Sequence, residues 1–213
     1  MNVTEKDALL MVDVQNDFLP GGALGVTDGD QIIEPITALA RQFKVRVGTM
    51  DWHPIHHCSF EKQGGPWPQH CVNNSTGAYQ HQKIVDAQNA LVLKGTDATK
   101  EAYSGFEGRM WSGSGGDLTD ETLADYLRRW GIERVFVVGL ALDFCVKATA
   151  IDAVAKGFAT VVLTDCTRAV FPEHDEATAA ELREAGALVT TARFLDDLDE
   201  FLGVEKETLD RLA

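Results

Sequence analysis

VFVVGLALDFCV, residues 135–146, is the stretch whose reading decides the fold. Val135 to Val138 is an unbroken apolar run of β-branched and aromatic residues bounded by Gly139, which reads as a strand buried on both faces. Cys145 stands six positions past that glycine, where an alanine-rich helical stretch begins. Strand, tight turn and helix therefore deliver a thiol to a helix N-terminus. The unsatisfied N–H groups and positive dipole end there favour thiolate over thiol, which makes Cys145 a candidate nucleophile. The competing reading is simple packing, because free cysteine is among the most buried residue types.

Outward from this unit the same alternation repeats. Residues 8–12, ALLMV, read as a buried strand that stops at Asp13 and opens into a polar loop through Asp30. Ile32, Ile33, Ile36, Leu39, Ala40 and Phe43 recur at helical spacing, and VRVGTM at 45–50 follows as a second strand. A strand, helix, strand unit of this length implies a parallel pair with a right-handed crossover. Residues 54–89 are irregular and contain GGPWPQHC, and ALVL at 90–93 is a third strand closed by Lys94. The stretch 95–108 reads as a surface loop. A helix over Leu123, Tyr126, Leu127 and Trp130 has Thr119 and Asp120 as candidate N-caps and Gly131 as its stop. Beyond Cys145 come a helix ended by Gly157, a strand at 159–163, a helix within 172–185 and a short edge strand at 187–190. This pattern predicts an α/β protein, a doubly wound, mainly parallel sheet of about six strands with helices on both faces.

Composition limits the partners. The chain has 213 residues, and 33 acidic against 19 basic side chains leave a formal charge of −14, which repels nucleic-acid phosphates and anionic membrane surfaces. No apolar run approaches the roughly 18 residues needed to span a bilayer. With no leader pattern, repeat or linker in view, one domain over residues 1–213, cytoplasmic and with neither nucleic acid nor membrane as partner, is the expectation. Four cysteines are too few to staple a chain this long, so reduced thiols are assumed. Self-association into a homo-oligomer is left open, as is the placement of residues 193–213.

In a doubly wound sheet, ligands bind outside the carboxyl ends of the strands. The first polar residues past four strands are Asp13, Asp51 with His53, Lys94 and Cys145. Asp51 and His53, two apart in an extended segment, point to the same side and could share a metal ion, with His70 after the PWP turn as a third ligand. His56 and His57 are further donors, of which His57 is the better candidate, and Cys71 could also ligate. For the thiol, Asp13 could accept the Cys145 proton while Lys94 holds Asp13 ionised. Phe18, Trp67 and Tyr103 could line a pocket for a flat ring. Each of these residues also has a bland reading, as a cap, a solvated charge or core.

The segments MVDVQNDFLPGGAL (11–24), DWHPIHHCSF (51–60), GGPWPQHCV (64–72), KGTD (94–97), AYSGFEG (102–108) and VGLALDFCV (138–146) together resemble the nicotinamidase/pyrazinamidase family of isochorismatase-like cysteine hydrolases. The resemblance spans nearly the whole chain. It implies a Rossmann-like three-layer sandwich and an amidohydrolase that converts nicotinamide to nicotinate and ammonia, in NAD salvage, and that also takes pyrazinamide. It further implies a triad of Asp13, Lys94 and Cys145, and one divalent metal ion on Asp51, His53 and His70, with zinc the first choice and iron or manganese as alternatives. Phe18, Trp67 and Tyr103 are implied as substrate contacts. A cis peptide bond between Leu140 and Ala141 is implied as well, with the backbone N–H groups of Ala141 and Cys145 as the oxyanion hole.

Leu142 and Cys58 depart from the family pattern, which often has threonine at the first position and isoleucine or valine at the second. Three rivals stand beside this reading. One is a related cysteine amidohydrolase acting on a carbamoyl or ureido compound. Another is a metal-dependent hydrolase in which Cys145 is structural, and the third is a non-catalytic binding module.

Overall fold

The computed structural model describes residues 2–113 and 118–192; the stretch 193–213 lies outside them. Seven strands form one sheet: β1 (Asp7–Val12), β2 (Val45–Asp51), β3 (Ala90–Lys94), β4 (Arg109–Met110), β5 (Arg134–Leu140), β6 (Ala159–Arg168) and β7 (Leu188–Thr190). Their order is β4-β3-β2-β1-β5-β6-β7, with only β4 antiparallel to its neighbour. The chain winds outward from β1 to β4, then returns to lay β5 against the other side of β1. The reversal leaves a crevice between the carboxyl ends of β1 and β5, which is where such sheets bind ligands.

Alternation along the two central strands sorts the core into two layers. Leu9, Met11, Phe136 and Val138 face helix α1 (Ile33–Ala40), whose Ile36 and Leu39 are buried in the same cluster. Leu10, Val12, Val135 and Val137 face the other way. They pack with Leu123 and Leu127 of α3 (Leu123–Arg129) and Ala150 and Ala153 of α4 (Lys147–Ala155). Strands buried on both faces read as continuous apolar runs, which is why their positions were legible.

The sheet of about six strands expected from the sequence has seven, the additional one being β4, two residues long, just beyond the loop at 95–108. Two local expectations need correction. Helix α2 (Gln82–Ala87) falls inside the stretch read as irregular; it buries only Ile84, too little apolar periodicity to be seen. The N-cap of α3 is Thr122, whose hydroxyl accepts from Asp125 N, not Thr119 or Asp120. Thr119 is used elsewhere, donating its hydroxyl to Met110 O beside the Trp111–Leu118 bridge. The predicted last helix is α5 (Asp175–Glu184), preceded by a 3-10 turn at Pro172–His174. Among the described residues, no helix is long and apolar enough to cross a membrane.

Candidate active site

Asp13, Asp51 and Lys94 stand at the ends of strands, and Cys145 in the turn that follows one. Asp13 follows β1 with φ +47°, and its backbone N–H donates to Thr49 O at 3.2 Å. Asp51 and Lys94 end β2 and β3 and are directly paired in register. Near the end of β5, Gly139 has φ +115° and a Cβ there would sit 2.0 Å from Val12 O, so only glycine lets β5 lie this close to β1. The Leu140–Ala141 bond that follows is cis, as the resemblance implied. Leu142–Val146 then forms a single π-turn, closed by Val146 N donating to Ala141 O at 3.1 Å, and α4 continues from it. Cys145 lies in that π-turn, before the α-helix proper.

Lys94 is the hub of the buried charges. Its Nζ lies 2.9 Å from Asp13 Oδ2, 2.5 Å from Asp51 Oδ1, 3.1 Å from Ala102 O and 3.5 Å from Cys145 Sγ. Carboxylate oxygens of Asp13 and Asp51 and the Cys145 sulfur all lie within 4.8 Å of one another. Burial pulls the Lys94 pKa down, but the two carboxylates outweigh it and hold the ammonium charged well above its usual range. Asp51 is raised by burial and lowered further by Lys94 and His53, so it stays ionised far below the usual carboxylate range. Asp13 ends up on the other side: burial raises it, Lys94 offsets only part, and the Asp51 charge adds to the rise.

The thiol corrects the dipole argument. Burial, followed by the charges of Asp13 and Asp51, holds Cys145 well above the usual thiol value despite the opposing pull of Lys94. Both causes favour the thiol over the thiolate, so a nucleophile at this position calls for a base. Asp13 is placed for that work. Thr49 donates its hydroxyl to Oδ1 at 2.6 Å, whereas Oδ2 lies 2.9 Å from the Lys94 ammonium and receives no other donor among the described residues. A buried carboxylate with one oxygen held by a hydroxyl and the other paired with an ammonium, raised toward neutrality and beside a thiol, is a proton acceptor in waiting.

Beside this cluster, Asp51, His53 and His70 are all buried and offer ligand atoms within 4.8 Å of one another. His53 Nδ1 bonds Gly95 O at 3.0 Å and His70 Nδ1 bonds Pro68 O at 2.7 Å, which leaves each Nε2 to face the shared point. Second contacts of this kind fix ring orientation at metal sites. Gly95 (φ +62°) is required here, since a Cβ would lie 2.4 Å from the His53 ring. Burial lowers His70, as suits a neutral imidazole donor. His57 stacks on His53 at 4.0 Å but has both ring nitrogens engaged, with Ser59 Oγ at 2.7 Å and Lys100 O at 3.1 Å. Cys71 joins no metal-capable group among the described residues, and its backbone instead accepts from His53 N at 3.0 Å.

A cavity of about 370 Å³, including its mouth, joins the two clusters. Phe18, Trp67, Tyr103 and Phe144 supply aromatic walls, and Ala141, Cys145, Asp51 and His70 the reactive end. Trp67 Nε1 donates to the Tyr103 hydroxyl at 3.0 Å, tying two walls together. A wider depression lies between Glu34, Arg46 and Lys83, and its lining includes neither cysteine nor histidine.

Sequence reading missed three supporting residues. Thr49 shares strand parity with Asp51 and could have been found that way. Gln15 brackets Asp51, accepting from its N–H at 2.8 Å and donating to its carbonyl at 2.8 Å. Asp17 accepts from Cys71 N at 2.7 Å and so ties the His70 loop to the loop after β1.

Residues 7–194 match the isochorismatase domain family. The chain is 40% identical over 185 residues to the nicotinamidase/pyrazinamidase of Mycobacterium tuberculosis, covering 84% of this chain and 95% of that one. Among solved structures, PnC1 from L. infantum in complex with nicotinate superposes with a TM-score of 0.82 at 40% identity, covering 91% of this chain and 96% of that one. The pyrazinamidase of Pyrococcus horikoshii in complex with zinc does so at 0.76 and 40% identity, covering 87% and 99%. With its α/β sheet, buried thiol and the match over nearly all described residues, the chain belongs to the isochorismatase family.

Proposed function

We propose that this chain is a nicotinamidase, an amidohydrolase that converts nicotinamide to nicotinate and ammonia through a thioester on Cys145. The observation that carries the reading is a carboxylate oxygen of Asp13 within 4.8 Å of a buried thiol that lines a cavity walled by Phe18, Trp67, Tyr103 and Phe144. The relatives named nicotinamidase supply the substrate.

In the first step, Cys145 gives its proton to Asp13 Oδ2 as the sulfur bonds the carboxamide carbon and the carbonyl π pair moves to oxygen. The backbone N–H groups of Ala141 and Cys145 receive that negative charge as an oxyanion hole. Lys94 compensates the charge passing between sulfur and Asp13, and so keeps the transfer cheap in a dry site. Asp13 then protonates the nitrogen, the C–N bond breaks and ammonia leaves. Water passes a proton to Asp13 while its oxygen bonds the thioester carbon; the C–S bond breaks, Asp13 returns that proton to the sulfur, and the acid formed leaves and ionises to nicotinate in solvent. Phe18, Trp67 and Tyr103 hold the ring so that the carboxamide meets the sulfur.

Asp51, His53 and His70 would hold one divalent ion, a donor set of one carboxylate and two imidazoles that suits zinc, and also iron or manganese. When bound, such an ion supplies a Lewis acid beside the ring pocket. Elemental analysis after exchange into metal-free buffer is expected to find one ion per chain, zinc foremost, and none in His53→Ala.

Thr49 fixes which oxygen of Asp13 is the base. Thr49→Val keeps the shape and removes the donor, so kcat is expected to fall about tenfold or more with KM nearly unchanged, and Thr49→Ser to restore most of it. The reading as a whole is tested by ammonia release from a panel of nicotinamide, pyrazinamide and small carbamoyl and ureido compounds. The pyridine carboxamide should be the best substrate, and a carbamoyl compound turned over faster than nicotinamide would replace this assignment with the rival.

A further inference from the structure

Asp143 is a buried carboxylate that the proposed chemistry does not use. It sits two residues before Cys145 in the π-turn and is 7% exposed. A buried ionised group is costly unless hydrogen-bonded, and Asp143 is bonded in one particular way. Its Oδ1 accepts from Val170 N and its Oδ2 from Phe171 N, both at 2.9 Å. These are consecutive amides of the segment that leaves the sheet after β6, so one side chain grips a short stretch of foreign backbone by both its oxygens.

That backbone forms one side of the ring cavity. Val170 lines the cavity, and the next residue, Phe171, is 40% exposed and has its ring 6.2 Å from that of Phe144, which also lines it. Phe144, the residue next to Asp143, packs at 5.0 Å against Trp67 and 5.9 Å against Tyr103. One dipeptide, Asp143-Phe144, therefore joins two walls: its ring meets Trp67 and Tyr103, and its carboxylate holds Val170 and Phe171. We propose that Asp143 is a positioning residue that sets the aperture of the ring pocket by clamping the 170–171 backbone over it, and so governs how tightly a planar aromatic amide is bound. The part concerning substrate rests on the nicotinamidase reading; the clamp itself does not.

A clamp on the wall acts on binding more than on the thiol chemistry. In Asp143→Ala, KM for nicotinamide is expected to rise about tenfold while kcat stays within about threefold, since tenfold corresponds to the loss of one to two net hydrogen bonds. Asp143→Asn keeps one acceptor and should fall between the two. Two further readouts separate this from general damage. Amide hydrogen exchange should speed up at Val170 and Phe171 while α4 and β5 keep their protection, and the rate of Cys145 alkylation by iodoacetamide without substrate should stay near that of the parent. Unchanged exchange at 170–171 in a folded Asp143→Ala protein would overturn the clamp, as would a kcat loss with KM unchanged, which would make Asp143 a support for the nucleophile turn. If the parent protein does not hydrolyse nicotinamide, the substrate reading fails, while the exchange arm still tests the clamp.

Discussion

Cys145→Ala is expected to lower kcat for nicotinamide hydrolysis by about 10⁴-fold or more, the scale seen when a covalent nucleophile is removed from a hydrolase that works through an acyl intermediate. The protein should remain folded, because the side chain is small and the π-turn is closed by backbone hydrogen bonds from Phe144 N and Val146 N to Ala141 O. A stopped reaction with intact structure separates the covalent mechanism from the rival in which metal chemistry alone cleaves the amide. That rival predicts a loss of only a few-fold, since a structural cysteine replaced by alanine leaves a small cavity and little else.

Lys94→Met is expected to have the second largest effect, on both activity and stability. Lys94 is the ammonium between the Asp13 and Asp51 carboxylates, and its side chain is fully buried. Removing one member of a buried ionic cluster leaves uncompensated charge, which costs about 3 to 5 kcal/mol. Chemical denaturation should register that loss directly. Asp13 would respond by binding a proton, since burial and the Asp51 charge already raise its pKa and only Lys94 opposes them strongly. A protonated Asp13 cannot accept the thiol proton, so kcat should fall about 10³-fold or more, and the loss should not be recovered by restoring stability at lower temperature. An activity near the parent value would remove Lys94 from the mechanism.

How far the sequence carried these conclusions depends on distance along the chain. Val135 to Val138 and Ala8 to Val12 were readable because a strand buried on both faces is apolar without interruption, a local signature. The ends of those strands and of the runs at 45–50 and 90–93 point to Asp13, Asp51, Lys94 and Cys145, and the parallel pairing of β1 with β2 and β5 and of β2 with β3 puts these ends on one side of the sheet. β4 and α2 were missed for the opposite reason: two residues in one case and a single buried isoleucine in the other carry no periodicity. The dipole of the following helix is local and favours the thiolate, while burial and the carboxylates of Asp13 and Asp51, at the ends of two other strands, push Cys145 the other way. Asp143 belongs to the same class. Nothing near it in sequence tells that its partners are the amides of residues 170 and 171, 27 and 28 positions away.

The central claim is a thioester between the carboxamide carbon and Cys145, and trapping it is the most direct test. Acid-quenching the enzyme during turnover of nicotinamide and mapping its peptides by mass spectrometry should place a nicotinoyl group on the peptide that contains Cys145, in a protein that releases ammonia, with neither adduct nor ammonia from Cys145→Ala. Ammonia release by Cys145→Ala at a rate near that of the parent would contradict the account.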